Sequence, residues 1–411
     1  IMTLPLPKQS FFKQPRNLRL NGFLAKRRSL ALMDWLQSSK APKLDPAKSR
    51  GARQPNEIDF WRGFALITIF IDHIPGIFFE AYTYRHYGIS DAAELFVFLA
   101  GWSLRLVVRS QYQVFTFSRL LLHLGGRALL IYLAQILITT FALAITAAAA
   151  LMLDAPNLLE WNNAATAFQD PVPAHLGTVL LTYQLGFFDI LPLYVVLMFA
   201  APLIAIIDHY SPWLLLPLSL TLYALTLVTG LNLPTWPVEG RWFFNPMAWQ
   251  FMFVLGFLLA EPGPVGKILK DYPWSSRAIV LPLLLIGVWI GWNEFEPDPL
   301  DMPSPHLLFT FDKTFLTPAR IIHLLCLIVM FGGAFKYLNH FLHPMTRLLS
   351  MMGRNSLNVF CLGSLLSLAG QFTRYAMDAS FVMDFVIIFT GVVMLAVTAW
   401  VSEWRHRLRA P

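Results

Sequence analysis

The chain has 411 residues, 56% of them hydrophobic, 14% aromatic and only 13% charged, about half the charged share of an ordinary soluble chain. Its apolar residues come in blocks near the ~20-residue length that crosses a bilayer, which overrides the two or three soluble domains that length alone suggests. Residues 1–55 hold 12 Lys and Arg against only Asp34 and Asp45, a net of +10, so within the total of +7 the remainder sums to −3 and offers no basic face for nucleic acid.

Residues 1–55 are expected to be a basic, disordered arm on the cytoplasmic side. Ile1 is not an ordinary initiator, and Met33 is the expected true start. No apolar core ahead of a small-residue cleavage site marks the arm as a signal peptide. Residues 56–405 are expected to form one all-α polytopic membrane domain of about ten transmembrane helices, with 406–411 as a cytoplasmic tail. The spans are placed near 61–79, 91–108, 123–152, 185–207, 212–230, 245–260, 277–292, 316–335, 355–371 and 382–402. The block before Asp154 exceeds one crossing and is expected to tilt or protrude. The apolar stretch Leu176–Gly186 is expected at the interface or as a re-entrant segment.

Charge asymmetry fits this count. Arg105, Arg109 and Arg119, then Lys267, Lys270 and Arg277, then Lys336, Arg347 and Arg354 fall in alternate loops, and Arg405, Arg407 and Arg409 in the tail. The intervening loops are nearly bare of basic residues, so both termini are read as cytoplasmic by the positive-inside rule. The outside loop 293–313 carries Glu294, Glu296, Asp298, Asp301 and Asp312 among four prolines and reads as an extended acidic segment; loop 154–175 reads as a shorter one, with Trp161 near the interface. Cys326 and Cys361 lie in apolar blocks and read as small buried side chains rather than a disulfide. No Cys-x-x-Cys or His-Glu-x-x-His spacing suggests a metal.

Polar residues inside the spans carry the chemistry. In the first span Arg62 and His73 are eleven residues apart, three helical turns, within ~20° of one face and roughly 16 Å along the axis. An ionised Asp72 at mid-span would cost about 2.5–3.5 kcal/mol without a partner or a wet cavity. Pro75 frees the carbonyl of Ile71 and favours a kink. Taken singly, Arg62 reads as an interface anchor, His73 as an interhelical hydrogen-bond donor and Asp72 as half of an ion pair; together beside Pro75-Gly76 they favour a functional cavity. Asp91 and Glu94 share a face of the second span. Asp91 suits a helix N-terminal charge, and Glu94 suits a structural ion pair or a catalytic carboxylate equally. Lys313, Arg320 and His323 cluster at the start of the eighth span. Arg320 either neutralises Glu94 or Asp72, or binds an anion or a sugar. The inner half holds Arg62, Arg105, Arg109 and Arg127. That layout suits a phosphorylated cytoplasmic donor, which arginine grips in forked geometry, and an outside acceptor deprotonated by a neutral His.

Arg62-x10-His73 and Phe96-Val-Phe-Leu-Ala-Gly101-Trp resemble the first- and second-span signatures of the acyltransferase-three superfamily of membrane enzymes. More closely, the chain resembles the OpgC group, which adds succinyl groups to osmoregulated periplasmic glucans. The matching stretches are Asp59-Phe-Trp-Arg-Gly-Phe-Ala-Leu, Ser90-Asp-Ala-Ala-Glu-Leu-Phe-Val-Phe, Leu181-Thr-Tyr-Gln, Asp189-Ile-Leu-Pro-Leu-Tyr, Trp242-Phe-Phe-Asn-Pro-Met-Ala-Trp-Gln250, Asp312-Lys-Thr and Gly353-Arg-Asn-Ser-Leu-Asn-Val-Phe-Cys361. They run in order from about 57 to 375, so the resemblance leaves out residues 1–55.

The resemblance implies a ten-span acyltransferase of the bacterial inner membrane. It implies an acyl-coenzyme A donor, with succinyl-coenzyme A expected, a periplasmic glucan hydroxyl as acceptor and no permanently bound cofactor. It makes His73 the catalytic histidine and Arg62 its motif partner. Arg105-x3-Arg109 is wider than the usual Arg-x-x-Arg of the superfamily, which leaves the coenzyme contacts open. The expected roles are His73 as base, oriented by Asp72 or Glu94; Arg62, Arg105, Arg109 and Arg127 on the donor; and Arg320, His323 and Lys313 on the acceptor or the acyl carboxylate. The rival reading is a transporter or flippase for an anionic lipid or saccharide, for which intramembrane Asp, His and Arg are equally typical, although no inverted repeat is visible. A membrane scaffold would leave the polar first span unexplained.

Overall fold

A computed structural model describes residues 54–112, 117–261 and 263–409. All but the last two residues of the expected basic arm, Met33 included, lie outside the described residues. The described residues are predominantly helical, with one isolated antiparallel bridge, Pro234 to Arg241, among them. The helices are α1 (Glu57–Asp72), α2 (Ala92–Tyr112), α3 (Phe117–Met152), α4 (Ala165–Gln169), α5 (Pro171–Val179), α6 (Ile190–Tyr210), α7 (Pro212–Thr229) and α8 (Pro246–Leu259). They continue as α9 (Pro264–Asp271), α10 (Pro273–Trp292), α11 (Pro318–Phe331), α12 (Ala334–Phe341), α13 (His343–Arg354), α14 (Ser356–Ala376) and α15 (Phe381–Arg409).

Each of the ten expected spans falls on a helix, but length and apolarity qualify only six of them, or seven if the bent pair α11–α12 is one crossing. Helix α1 has 16 residues and α8 has 14, and α2 carries Glu94, Arg105 and Arg109. By these measures the described residues hold six or seven helices long and apolar enough to cross a membrane, which shows a helical membrane protein and does not reach the expected count of about ten. Helix α3, at 36 residues, is about 54 Å long, which agrees with a tilted or protruding span.

Local chemistry sets the helix ends. Asn56 caps α1 by accepting from the Asp59 N–H at 2.9 Å, and Glu57 and Asp59 complement the dipole in its first turn. The span expected over 61–79 stops at Asp72, because Pro75 cannot donate and Gly76 turns left-handed at φ +73°. The chain then passes through two 3₁₀ turns, Phe78–Tyr82 and Tyr84–Tyr87. Helix α2 opens on a reciprocal box: Asp91 accepts from the Ala93 N–H at 2.8 Å and Glu94 reaches back to the Asp91 N–H at 2.9 Å. Proline at the first turn starts α5, α7, α8, α9, α10 and α11, where its missing donor costs nothing.

Two regions differ from the sequence expectation. Loop 154–175 is not extended: it forms a 3₁₀ turn over Pro156–Asn163, then α4, and runs into α5. Trp161 stacks on Phe372 of α14 at 5.7 Å, so its ring is tied to the bundle. The basic loop after the eighth span is also helical. Gly332-Gly333 ends α11, α12 departs at 53°, and α13 packs along α1.

Glycine contacts fix the centre. A Cβ on Gly101 would lie 1.8 Å from the Phe253 carbonyl oxygen, and one on Gly256 2.0 Å from that of Phe98, so α2 and α8 meet backbone to backbone. Gly63 and Gly353 join α1 to α13 in the same way, at 2.0 Å from Leu349 O and 1.9 Å from Asp59 O. Around these contacts Trp249, Phe253, Phe257 and Phe70 are fully enclosed. The outer helices α7, α10 and α15 expose Trp213, Ile279 and Phe389 among many apolar side chains, the surface that lipid covers in a membrane bundle.

Candidate active site

The sequence-predicted residues separate into two groups at opposite ends of α1. At one end α1 stops beneath a cap made by 156–189, and His73 stands as its terminal residue rather than in mid-helix. The imidazole packs against Phe187 with ring centroids 4.9 Å apart. Phe187 is held there by a left-handed turn (φ +66°), and Gly186 N–H donates to the Asn162 carbonyl at 2.8 Å. His73 Nδ1 is buried without a hydrogen-bond partner, as is Asp72 Oδ1. Lys313, Asp91 and Arg85 lie within electrostatic reach of the ring, so the polar residues of the two spans predicted from sequence meet at one end of the bundle.

Of Asp72 and Glu94, the carboxylates expected to orient His73, Glu94 has its partners elsewhere. Glu94 is fully buried, receives Arg320 Nε on Oε1 at 2.5 Å, and closes the α2 cap with Oε2. Asp91 accepts Lys313 Nζ at 2.5 Å and lies 3.4 Å from Arg320 Nη2. Two carboxylates thus meet two cations, and Arg320 neutralises Glu94 rather than Asp72. Arg320 Nη1 donates to the Phe311 carbonyl at 3.4 Å, and the indole of Trp249 donates to the Lys313 carbonyl at 3.1 Å. Of the two cations, Lys313 keeps the more open side chain, 27% exposed against 9% for Arg320. His323 is enclosed: Nδ1 accepts from the Ser90 hydroxyl at 2.7 Å, and Cβ atoms on Gly88 and Gly287 would fall 2.2 and 2.8 Å from its ring.

Tyr84 joins this end without having been singled out from sequence. Its ring stacks on Phe64 at 6.0 Å, and its hydroxyl is buried and unpartnered among Asp72, Asp91, Glu94 and Arg320. Gln371 and Asn162 were missed as well. Gln371 Nε2 donates to the His73 carbonyl at 2.7 Å, and Asn162 Nδ2 donates to Gln371 Oε1 at 3.0 Å. The only sequence signal for them was amide side chains beside apolar blocks, which is too common to select.

At the other end Arg62 binds the Ser103 hydroxyl, the Leu99 carbonyl at 3.2 Å, Asp59 at 3.4 Å and the Gly353 carbonyl at 3.5 Å. It ties α1 to α2 and α13, with Tyr194 and Arg127 as electrostatic neighbours; the Tyr194 hydroxyl is buried and unpartnered. Arg105 does not join Arg62. Its guanidinium pairs with Asp208 and with Glu261 at 2.6 Å and lies over the Phe257 ring. Arg109 and Arg127 are exposed, and the Gly125-Gly126 step before Arg127 leaves open space where side chains would be. Cys326 and Cys361 are both free, and no group of His, Cys, Asp or Glu among the described residues is arranged to hold a metal.

No curated protein matches the chain. The family model described as OpgC protein matches residues 53–407, which takes in α1 to α14 and nearly all of α15, both ends of the site included. The chain belongs to the OpgC family.

Proposed function

We propose that the protein is a ten-crossing membrane O-acyltransferase of the acyltransferase-three type, in the bacterial inner membrane with both termini cytoplasmic. It moves an acyl group, succinyl in the first instance, from a cytoplasmic acyl-coenzyme A to a hydroxyl of a periplasmic glucan. The observation that carries this reading is the unpartnered Nδ1 of His73, near the unpartnered Asp72 Oδ1 and Tyr84 hydroxyl, at one end of the central helix that bears Arg62 at its other end. A buried neutral imidazole with a free ring nitrogen is suited to accept a proton from an attacking hydroxyl. In the proposed step His73 takes the sugar proton and the oxygen attacks the thioester carbon. The C–S bond then breaks, and the leaving thiolate takes up a proton, returning the imidazole to its neutral form.

The open side chains of Arg109 and Arg127 support a donor-phosphate role, with Arg62 aligning the helices beside them. Arg105, already neutralised by two carboxylates, is left out of that role. Lys313, more open than Arg320, is the group placed to hold the succinyl carboxylate. His323, closed in by Ser90 and two glycines, packs the helices together instead.

The test is thiol release from succinyl-coenzyme A by purified protein in nanodiscs, with and without a β-glucan acceptor. A general base contributes about 10²–10⁴-fold, so His73→Ala should lose at least ~10² in turnover while the protein stays monodisperse. Acceptor-dependent thiol release by that variant at the wild-type rate would overturn the proposal. Movement of an intact anionic substrate with no thiol release would favour the transporter reading.

A further inference from the structure

The end of α1 is held by a row of polar side chains on a neighbouring helix. Ser367, Gln371 and Arg374 of α14 lie at i, i+4 and i+7, one face of a helix. Each donates to backbone carbonyls of α1 or of the turn that follows it. Ser367 Oγ donates to Phe70 O at 2.9 Å, and Gln371 Nε2 to His73 O at 2.7 Å. Arg374 Nη1 and Nη2 donate to Pro75 O and Gly76 O, each at 2.7 Å. The last carbonyls of a helix have no intrahelical donor, and here α14 supplies donors from outside.

The row is itself braced. Arg374 Nε pairs with Asp384 Oδ1 of α15 at 2.7 Å, and Asp384 Oδ2 accepts the Phe78 N–H at 2.8 Å. Asn162, in the left-handed region at φ +54°, donates to Gln371 at 3.0 Å. Meanwhile the His73 imidazole shows no side-chain hydrogen bond among the described residues, and Phe187 is the aromatic ring packed against it. The ring's place is therefore set through its backbone.

We propose that Gln371 and Arg374 are positioning residues that fix the His73 imidazole by gripping the carbonyls of its own turn. This rests on the reading of His73 as the base. Displacement of a reacting group by about 1 Å costs on the order of 10²-fold in rate, so loosening the turn lowers turnover more than it weakens substrate binding. The grip also makes α14 and α15 the elements through which a movement of the bundle reaches His73.

The experiment uses two variants of the full chain in nanodiscs, Gln371→Glu and Arg374→Lys. The first keeps an acceptor for Asn162 but loses the donor to His73 O. The second keeps a charge for Asp384 but cannot bridge two carbonyls. Each is read by kcat and KM for both substrates, by thermal melting, and by diethyl pyrocarbonate labelling of His73 followed by mass spectrometry. The expected result is a kcat lowered by roughly 10–10²-fold, KM values unchanged, and faster His73 labelling in a protein that melts near the wild type. If one variant does not fold, the other decides. Wild-type kcat and labelling in a folded variant, while His73→Ala is inactive, would overturn the positioning role and leave the proposed function standing. An active His73→Ala would overturn the proposed function, and a change of His73 labelling in these variants would then still report the grip.

Discussion

Replacing Glu94 by Ala removes the one carboxylate that serves both α2 and α11. Glu94 is 0% exposed and holds Arg320 Nε at 2.5 Å and the Asp91 N–H at 2.9 Å. In the variant Arg320 keeps only Asp91 and the Phe311 carbonyl, both at 3.4 Å. Breaking one side of a buried ion pair costs about 3–5 kcal/mol, a large share of the ~5–15 kcal/mol that holds a typical folded protein together. Glu94→Gln preserves shape and an oxygen for the Asp91 N–H, so its loss should be smaller. The double variant Glu94→Leu, Arg320→Met removes both charges and should recover much of the difference, since apolar replacement of a buried pair is often neutral or stabilising. Thermal unfolding in detergent, followed by tryptophan fluorescence and size-exclusion homogeneity, gives the three shifts, and thiol release per folded molecule gives the activity. If Glu94 is a clamp, activity per folded molecule tracks the amount folded. A Glu94→Gln protein that melts like the wild type yet loses ~10²-fold in turnover would refute the clamp and return Glu94 to the chemistry.

Three further outcomes are expected. Arg105→Ala leaves Asp208 and Glu261 without their cation, so it should lower the melting temperature while leaving the KM for acyl-coenzyme A unchanged, as titration of thiol release would show. Arg127→Ala should do the reverse, raising the donor KM several-fold at unchanged stability, because its side chain is exposed beside an open Gly-Gly step. Gly101→Ala puts a Cβ 1.8 Å from the Phe253 carbonyl and should abolish recovery of monodisperse protein, since a clash with backbone forces α2 and α8 apart.

Sequence spacing exposed what lies along one helix and hid what lies between helices. Arg62 and His73 were legible because eleven residues of regular helix set their relation, and Asp91 with Glu94 because i and i+3 share a face. The end of α1 was misplaced since Pro75 alone signals either a kink or a stop; the left-handed Gly76 and the donors from α14 decided for a stop. Arg105 read as a phosphate ligand because its partners, Asp208 and Glu261, stand at the ends of other helices. The helical nature of 334–354 was missed because a basic stretch between apolar blocks resembles a loop. Gly63 and Gly353 bring that stretch against α1, and nothing in their local sequence says so.

The polar side chains buried around the two ends of α1 and α2 fall into two sorts, and the proposed chemistry follows that division rather than charge. Glu94, Asp91, Arg320 and His323 have protein partners at hydrogen-bond distance, so these groups hold helices together. Near His73 the rule inverts: its own Nδ1, Asp72 Oδ1 and the Tyr84 hydroxyl are enclosed yet unmatched. An unmatched buried polar atom costs about 1–3 kcal/mol, and of those among the described residues three gather at this one helix end. A substrate rich in hydroxyl groups would satisfy all three. The strongest charges in the sequence therefore mark the frame, and the proposed reaction is set among the weakly signalled, unpaired groups between them.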